Sequence, residues 1–252
     1  MKLLITGAGS GLGRHLHAKF GGYGLTRENS AELLRTAGKT GVDTIIHCAA
    51  SSKRGVSSDP LYAYLEDNLF LAQSLSRLPH KKFIFLSTVS VYPDTPGPHR
   101  EDDYIPADEV GGGVYGTTKL MSEAIINSVA ADPLIIRAVF LLGRDSRPGN
   151  LMRVLTDKAP TLDLSGKSTF NCVSHEDIAA FIELGLKKNL KGTYNAAAND
   201  AVTLTAAAKI AGKKPKFGKG LYKVPAIDNA KIKAVCPRFD KSSADTIREF
   251  LK

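Results

Sequence analysis

Two stretches of the chain carry the residue types and spacings for chemistry, and the first is built to hold an anion. Thr6-Gly7-Ala8-Gly9-Ser10-Gly11-Leu12-Gly13 follows the apolar run Leu3-Leu4-Ile5 and precedes a segment of helical pattern. Glycines at 7, 9 and 11 permit a tight turn and let backbone N–H groups approach a pyrophosphate at the positive end of the helix. Gly13 lets that helix lie close to the strand before it, and Ser10, Leu12 and Arg14 complete the loop. The second stretch is built to move a proton. Tyr115 and Lys119 are four apart in Tyr115-Gly116-Thr117-Thr118-Lys119, a spacing that shares one helix face. An ammonium beside a phenol favours the phenolate and brings its pKa towards the working range, so the pair can exchange a proton with a substrate oxygen.

The elements that must hold these groups alternate between strand and helix, the pattern of βαβ units and a parallel sheet. Strands are expected at 3–5, 23–27, 43–48, 83–86 and 134–142, with helices at 11–20, 31–37, 60–78 and 115–130. Between Arg27 and Val42 there is little room, and a third strand there is expected to be reduced. Pro60 sits in the first turn of its helix, where a missing N–H costs nothing. The loop 93–113, rich in Pro, Gly and acidic residues, leads into the Tyr115 helix. Ser174-His175-Glu176-Asp177 reads as a capping box opening an amphipathic helix. The fold class is therefore α/β, a Rossmann-type doubly wound parallel sheet with a small C-terminal α-rich region. A core of 1–143 is followed by a mainly substrate-binding part, 144–252, with 170–197 returning to the core.

The end of the second strand selects the nicotinamide cofactor. An NAD site places an acidic residue there to accept from the ribose 2′-hydroxyl. Here Thr26 holds that position and Arg27 follows, and a guanidinium can grip a 2′-phosphate bidentately. The expectation is NADP, with NAD the alternative, because Glu28 lies one register position away.

These motifs together resemble the short-chain dehydrogenase/reductase family, and most of the chain is similar to its extended branch. Glycines 7, 11 and 13 match its glycine loop, and Tyr115 and Lys119 its Tyr-x-x-x-Lys. His47-Cys48-Ala49-Ala50 resembles its segment lying against the cofactor, which assigns Cys48, Ala49 and Ala50 to cofactor binding. Leu86-Ser87-Thr88-Val89-Ser90-Val91-Tyr92 resembles its Ser-Ser/Thr-x-x-Val-Tyr segment. That likeness places Thr88 at the hydroxyl orienting the substrate, with Ser87 as the other candidate. The resemblance further implies that Arg144, Arg147, Asn150 and Arg153 face a substrate diphosphate and that Arg238 reaches the substrate. Dehydratases of the family carry Asp-Glu after the threonine, where this chain has Val89-Ser90, so the acid and base for water elimination are missing. A homodimer through the helices 60–78 and 115–130 is implied as well. What remains is reduction of a ketone on a nucleotide-activated sugar, or 4-epimerisation through a transient ketone. A sensor that binds NADP without turnover is the outlying reading, and it has no need of a proton donor.

The rest of the composition narrows the setting. The net charge of +9 is concentrated late, as in Lys213-Lys214-Pro215-Lys216. No aromatic-interleaved basic stripe accompanies it, so a solvated basic face, or attraction of a polyanionic small substrate, is expected before nucleic acid. Three scattered cysteines, 48, 172 and 236, make neither a disulfide framework nor a zinc site, and no metal is expected. His47 and His175 read as packing or capping residues. No apolar run approaches the ~18 residues of a membrane span. The glycines of the N-terminal segment break any signal-type apolar stretch, so a cytoplasmic location is expected.

Overall fold

A computed structural model describes residues 1–51, 61–146 and 148–252; Pro60 and Arg147 lie outside the described residues. In chain order the elements open with β1 (Leu3–Thr6), α1 (Gly11–Phe20), β2 (Tyr23–Leu25), α2 (Ser30–Thr40) and β3 (Thr44–His47). Next come α3 (Leu61–Leu65), a π-helical turn (Glu66–Phe70), α4 (Leu71–Ser76), β4 (Lys82–Thr88), a 3-10 turn (Val89–Val91) and α5 (Gly113–Val129). β5 (Leu134–Ala138), β6 (Phe140–Leu142), α6 (Asn150–Thr156), β7 (Thr169–Phe170), β8 (Cys172–Ser174), α7 (His175–Lys188) and β9 (Gly192–Ala196) follow. The chain closes with β10 (Val202–Thr203), α8 (Leu204–Ile210), α9 (Ala230–Val235), a 3-10 turn (Pro237–Phe239) and α10 (Ser243–Phe250).

The central sheet has the order β2-β1-β3-β4-β5-β9 and is parallel, the Rossmann-type arrangement expected. All four residues of β1, of β3 and all five of β5 are buried, as they must be in a parallel sheet covered on both faces. Leu4, Ile45, Phe83, Phe85 and Ile135 pack with Ala72, Leu75 and Ile126 in one apolar cluster. That packing seats α4 and α5 on the strands whose ends carry the chemistry. Among the described residues no strand lies outside β2, and the eleven residues of α2 occupy the interval where a further strand was expected to shrink.

Several boundaries differ from the sequence reading, each for a local reason. The second strand stops at Leu25, and the Asn29 side chain then folds the next residues back: its Oδ1 accepts from Thr26 N at 2.8 Å and its Nδ2 donates to Gly24 O at 2.9 Å. The helix expected over 60–78 is interrupted by the π turn at Glu66–Phe70. The strand expected over 134–142 divides, because Val139 N–H bonds Ala196 O while Phe140 N–H turns to Asn171 O. β6 thereby pairs in parallel with β8 in a separate two-stranded sheet. The capping box is present: Asp177 N–H donates to Ser174 Oγ and Ser174 N–H to Asp177 Oδ2, both at 3.0 Å.

The chain divides into two units. The first comprises Met1–Asp94, Glu101–Arg137 and Ile182–Tyr194; the second comprises Thr95–Arg100, Ala138–Phe181 and Asn195–Lys252. The chain leaves the first unit after Arg137 and returns to it over Ile182–Tyr194, beside the expected division at 143 and return over 170–197. The second unit has its own core of Leu142, Leu151, Val154, Leu155, Phe170, Leu204 and Ile247. Lys214, Lys216, Lys219 and Lys223 are exposed on it. No helix among the described residues is long and apolar enough to cross a membrane.

Candidate active site

The glycine loop has the shape its composition predicts. Gly7 and Gly11 take positive φ, +71° and +55°, which L side chains rarely adopt. A Cβ on Gly13 would stand 2.4 Å from Gly7 O and 2.6 Å from Thr6 O, so only glycine lets α1 start this close to β1. At the other side a Cβ on Gly7 would lie 3.2 Å from Ala49 Cα and N, so the loop rests on the segment after β3. Gly9, Ser10 and Arg14 are exposed, and Leu12 is buried beneath them. Ser10 precedes α1 without capping it by its side chain, leaving the first N–H groups of that helix to an anion. These features fit a dinucleotide pyrophosphate.

Thr6, which the motif contains but the sequence reading left without a role, ties the two strand ends together. Its Oγ1 accepts from Cys48 N at 3.0 Å and Ala49 N at 2.9 Å and shares a hydrogen bond of 2.8 Å with His47 Nδ1. Cys48, Ala49 and Ala50 are thus held in a fixed place against the loop. Burial pushes the His47 imidazole down to about 3 and the Cys48 thiol up to about 12, so both are neutral at working pH. His47 is accordingly a packing residue, stacked on Phe85 with ring centroids 5.4 Å apart.

At the end of β2, where the cofactor preference was expected to be set, Arg27 is exposed, Thr26 is half-buried, and both are already engaged. Arg27 NH2 donates to Asp67 Oδ2 at 2.6 Å, and the Thr26 hydroxyl holds the Glu28 carboxyl below its usual range. Asp67 belongs to the π turn, a residue the sequence gave no reason to single out. The same turn buries Asn68, whose side chain bonds both Ser51 N (2.7 Å) and Ser51 O (3.1 Å).

The catalytic group expected from sequence gathers where β4 ends and α5 begins. Lys119 is buried, and its Nζ donates to Leu86 O at 2.7 Å and stands 4.6 Å from the centroid of the Phe85 ring. Burial lowers its ammonium to about 8, opposed by Cys48 and Glu123. Tyr115, half-buried, lies one turn earlier on α5. At the end of β4, Thr88 Oγ1 accepts from Ser90 N at 3.2 Å, capping the 3-10 turn in a bond that does not use its own proton. Ser87 is different. Its hydroxyl donates to Glu123 Oε1, whereas the Thr88 hydroxyl makes no such bond to Glu123.

Glu123 and Arg137 were missed from sequence. Arg137 Nε donates to Glu123 Oε1 at 3.1 Å and to Oε2 at 3.2 Å, and NH2 donates to Oε2 at 2.7 Å, with both side chains buried. Its NH1 donates to Tyr92 Oη at 2.9 Å, and the guanidinium carbon lies 4.9 Å from that ring's centroid. Two signals were available: Glu123 continues the Tyr115–Lys119 stripe by one more turn, and Arg137 is a charge inside the apolar run Leu134-Ile135-Ile136.

The described residues assigned to a substrate diphosphate by resemblance, and Arg238, all lie in the second unit. Arg144 is exposed. Asn150 Oδ1 accepts from Asp163 N at 3.1 Å and Leu164 N at 3.4 Å, an internal tie of that unit. Arg153 makes a 3.4 Å ion pair with Asp157 one turn on. Arg238 Nε lies 3.2 Å from the fully buried Asp177 carboxylate, which Lys241 also meets at 2.9 Å. Asn150, Arg153 and Arg238 thus each hold a partner within the unit, which the linear motif could not reveal. His175 lies flat on Gly143, where a Cβ would fall 2.0 Å from its Nδ1. Among the described residues no cluster of His, Cys, Asp or Glu could hold a metal ion.

Phosphate loop, strand ends and the Tyr-Lys helix define a nicotinamide-dependent Rossmann enzyme. The chain belongs to the NAD dependent epimerase/dehydratase family, whose model matches residues 3–197, and it is an NAD(P)-dependent enzyme of the short-chain dehydrogenase/reductase type. No curated protein matches it. Solved structures share its fold at low identity. It is similar to UDP-glucuronic acid 4-epimerase from Bacillus cereus, in complex with UDP-glucuronic acid and NAD, at TM-score 0.76 and 22% identity, covering 100% of this chain and 99% of that one. A dTDP-4-dehydrorhamnose reductase from Clostridium acetobutylicum gives 0.78 and 16%, covering 100% and 98%. UDP-N-acetylglucosamine 4-epimerase from Methanobrevibacter ruminantium, in complex with UDP-N-acetylmuramic acid, also gives 0.78 and 16%, covering 99% and 96%.

Proposed function

We propose that this enzyme reduces a ketone at C4 of a nucleotide-activated sugar, using NADPH. The observation that carries the reading is the arrangement at the β4–α5 junction: Thr88 with a proton to donate, Tyr115 one turn from a buried Lys119, and no acid or base at Val89 or Ser90 to eliminate water. The bound nicotinamide supplies the hydride. Thr88 orients the carbonyl oxygen, Tyr115 gives it a proton, and Lys119, held on Leu86 O, keeps a positive charge beside the phenol. Similarity to solved structures in complex with UDP-sugars, and to a dTDP-sugar reductase, supports a nucleotide diphosphate on the substrate. The exposed lysines of the second unit favour attraction of such an anion. The test is an assay against UDP- and dTDP-4-keto-hexoses with NADPH. Stoichiometric loss of NADPH is expected. Failure to consume NADPH, with a 4-epimer formed from a UDP-hexose and bound NAD, would establish the epimerase instead.

One observation favours that second reading: Arg27 is paired with Asp67. A 2′-phosphate must displace that carboxylate, whereas NAD need not. Arg27→Ala is expected to weaken NADPH about ten- to a hundredfold, the worth of a charge-assisted contact, and to leave NADH within about twofold. Asp67→Asn should strengthen NADPH by releasing the guanidinium. Fluorescence titration of both cofactors checks this, and a parent that binds NADH as tightly as NADPH would transfer the assignment to NAD.

A homodimer through α3–α4 and α5 belongs to the same proposal. Leu61, Tyr62, Phe70, Met121 and Val129 are exposed apolar side chains on these elements. Met121 and Val129 are two turns apart on one stripe of α5, the kind of surface that a two-fold axis buries against its own copy. Light scattering should return twice the 27.0 kDa chain mass, and a mass of 27.0 kDa at micromolar concentration would exclude it.

A further inference from the structure

Two consecutive residues of β4 are fastened to two consecutive turns of α5. Leu86 O receives Lys119 Nζ, and the Ser87 hydroxyl donates to Glu123; Thr88, next in line, remains available. Glu123 is in turn fixed from β5 by the Arg137 fork, and Arg137 is fixed by Tyr92 beyond the 3-10 turn. The side chains of Ser87, Tyr92, Lys119, Glu123 and Arg137 are all buried. A buried ion pair is a poor device for stability alone, since apolar residues of like volume usually do as well. Its demand for one geometry, however, makes it a good device for register.

We propose that Glu123 is a positioning residue: clamped by Arg137 and Ser87, it locks α5 onto the end of β4 in the register that delivers Lys119 and Tyr115 beside the Thr88 hydroxyl. The inference rests on the reading of those three residues as the working group. The clamp also has an electrical consequence. The groups that the Lys119 ammonium faces are His47 and Cys48 from the end of β3 and, on its own helix, Glu123, which Arg137 of β5 holds in place; burial lowers the ammonium, and Cys48 and Glu123 oppose that.

The test needs no sugar nucleotide and so stands or falls apart from turnover. Lysines are labelled with carbon-13 at Cε and titrated by NMR with NAD present, Lys119 being assigned from its loss in Lys119→Met. In Glu123→Gln, Lys119 is expected to titrate about one pH unit below the parent, while Glu123→Asp, which keeps the charge, holds the shift to less than half of that. A merely structural role would lower the melting temperature of both variants and leave the Lys119 titration unmoved, and that result overturns the proposal. Ser87→Ala tests the register arm without removing a charge, and serves if Glu123→Gln does not fold. Amides in the first two turns of α5 should exchange with deuterium about tenfold faster, and unchanged exchange overturns the clamp.

Discussion

Tyr115→Phe is expected to lower turnover by about a hundred- to ten-thousandfold while cofactor binding stays within about twofold. On the proposed reading the phenol hydroxyl is the acid, with Lys119 one turn further along the same helix, and Thr88 orients and polarises the carbonyl. The Phe ring preserves the packing of the half-buried side chain, so a loss of rate cannot be charged to unfolding. The pH profile makes the same point from Lys119. Its ammonium is fully present below about pH 8 and is lost above it, because burial has depressed its pKa. Reduction by the parent should therefore be level below that pH and fall as pH rises through it, since the cation that assists the Tyr115 proton transfer is lost. Both are read by steady-state assay, with single-turnover measurement to ensure that chemistry limits. A Tyr115→Phe rate within about tenfold of the parent would remove Tyr115 as the acid.

What the sequence made legible was local. Glycines at 7, 11 and 13 act through their own backbones, so a motif eight residues long already contains their geometry. Tyr115, Lys119 and the Ser174–Asp177 box are likewise decided within one or two helical turns. The parallel sheet followed from apolar runs alternating with helical segments, and the reduced strand after Arg27 from simple lack of chain. What escaped depends on residues far apart in the chain. That Ser87 is spent on Glu123 is a contact across 36 positions, and Arg27 on Asp67 one across 40. No periodicity reports such pairings. The division of 134–142 between two sheets was hidden for the same reason, because Val139 and Phe140 choose different partners only once Asn171 and Ala196 are in place. The resemblance transferred Asn150 and Arg238 to the substrate by position in a motif, and a motif does not record what those side chains already hold.

Arg137→Met is expected to cost about 3–5 kcal/mol of folding stability, a large part of the total for a domain of this size. Methionine fills much of the volume of the arginine stem, so the loss does not come mainly from a cavity. It comes from Glu123, whose carboxylate would stay buried on α5 with only the Ser87 hydroxyl for a partner, and from the Tyr92 hydroxyl, which loses its donor. The diagnostic variant is the double one, Glu123→Leu with Arg137→Met. If the cost is that of an unpaired buried charge, removing the second charge should restore more than half of the lost stability, since apolar replacement of a whole buried pair is close to neutral. If the cost were packing, the two substitutions would add and the double variant would be the weaker. Chemical denaturation of the parent and all three variants, with the single Glu123→Leu completing the cycle, separates the two outcomes. A double variant no more stable than Arg137→Met would mean that this network holds the fold by shape, and that its charges are incidental to it.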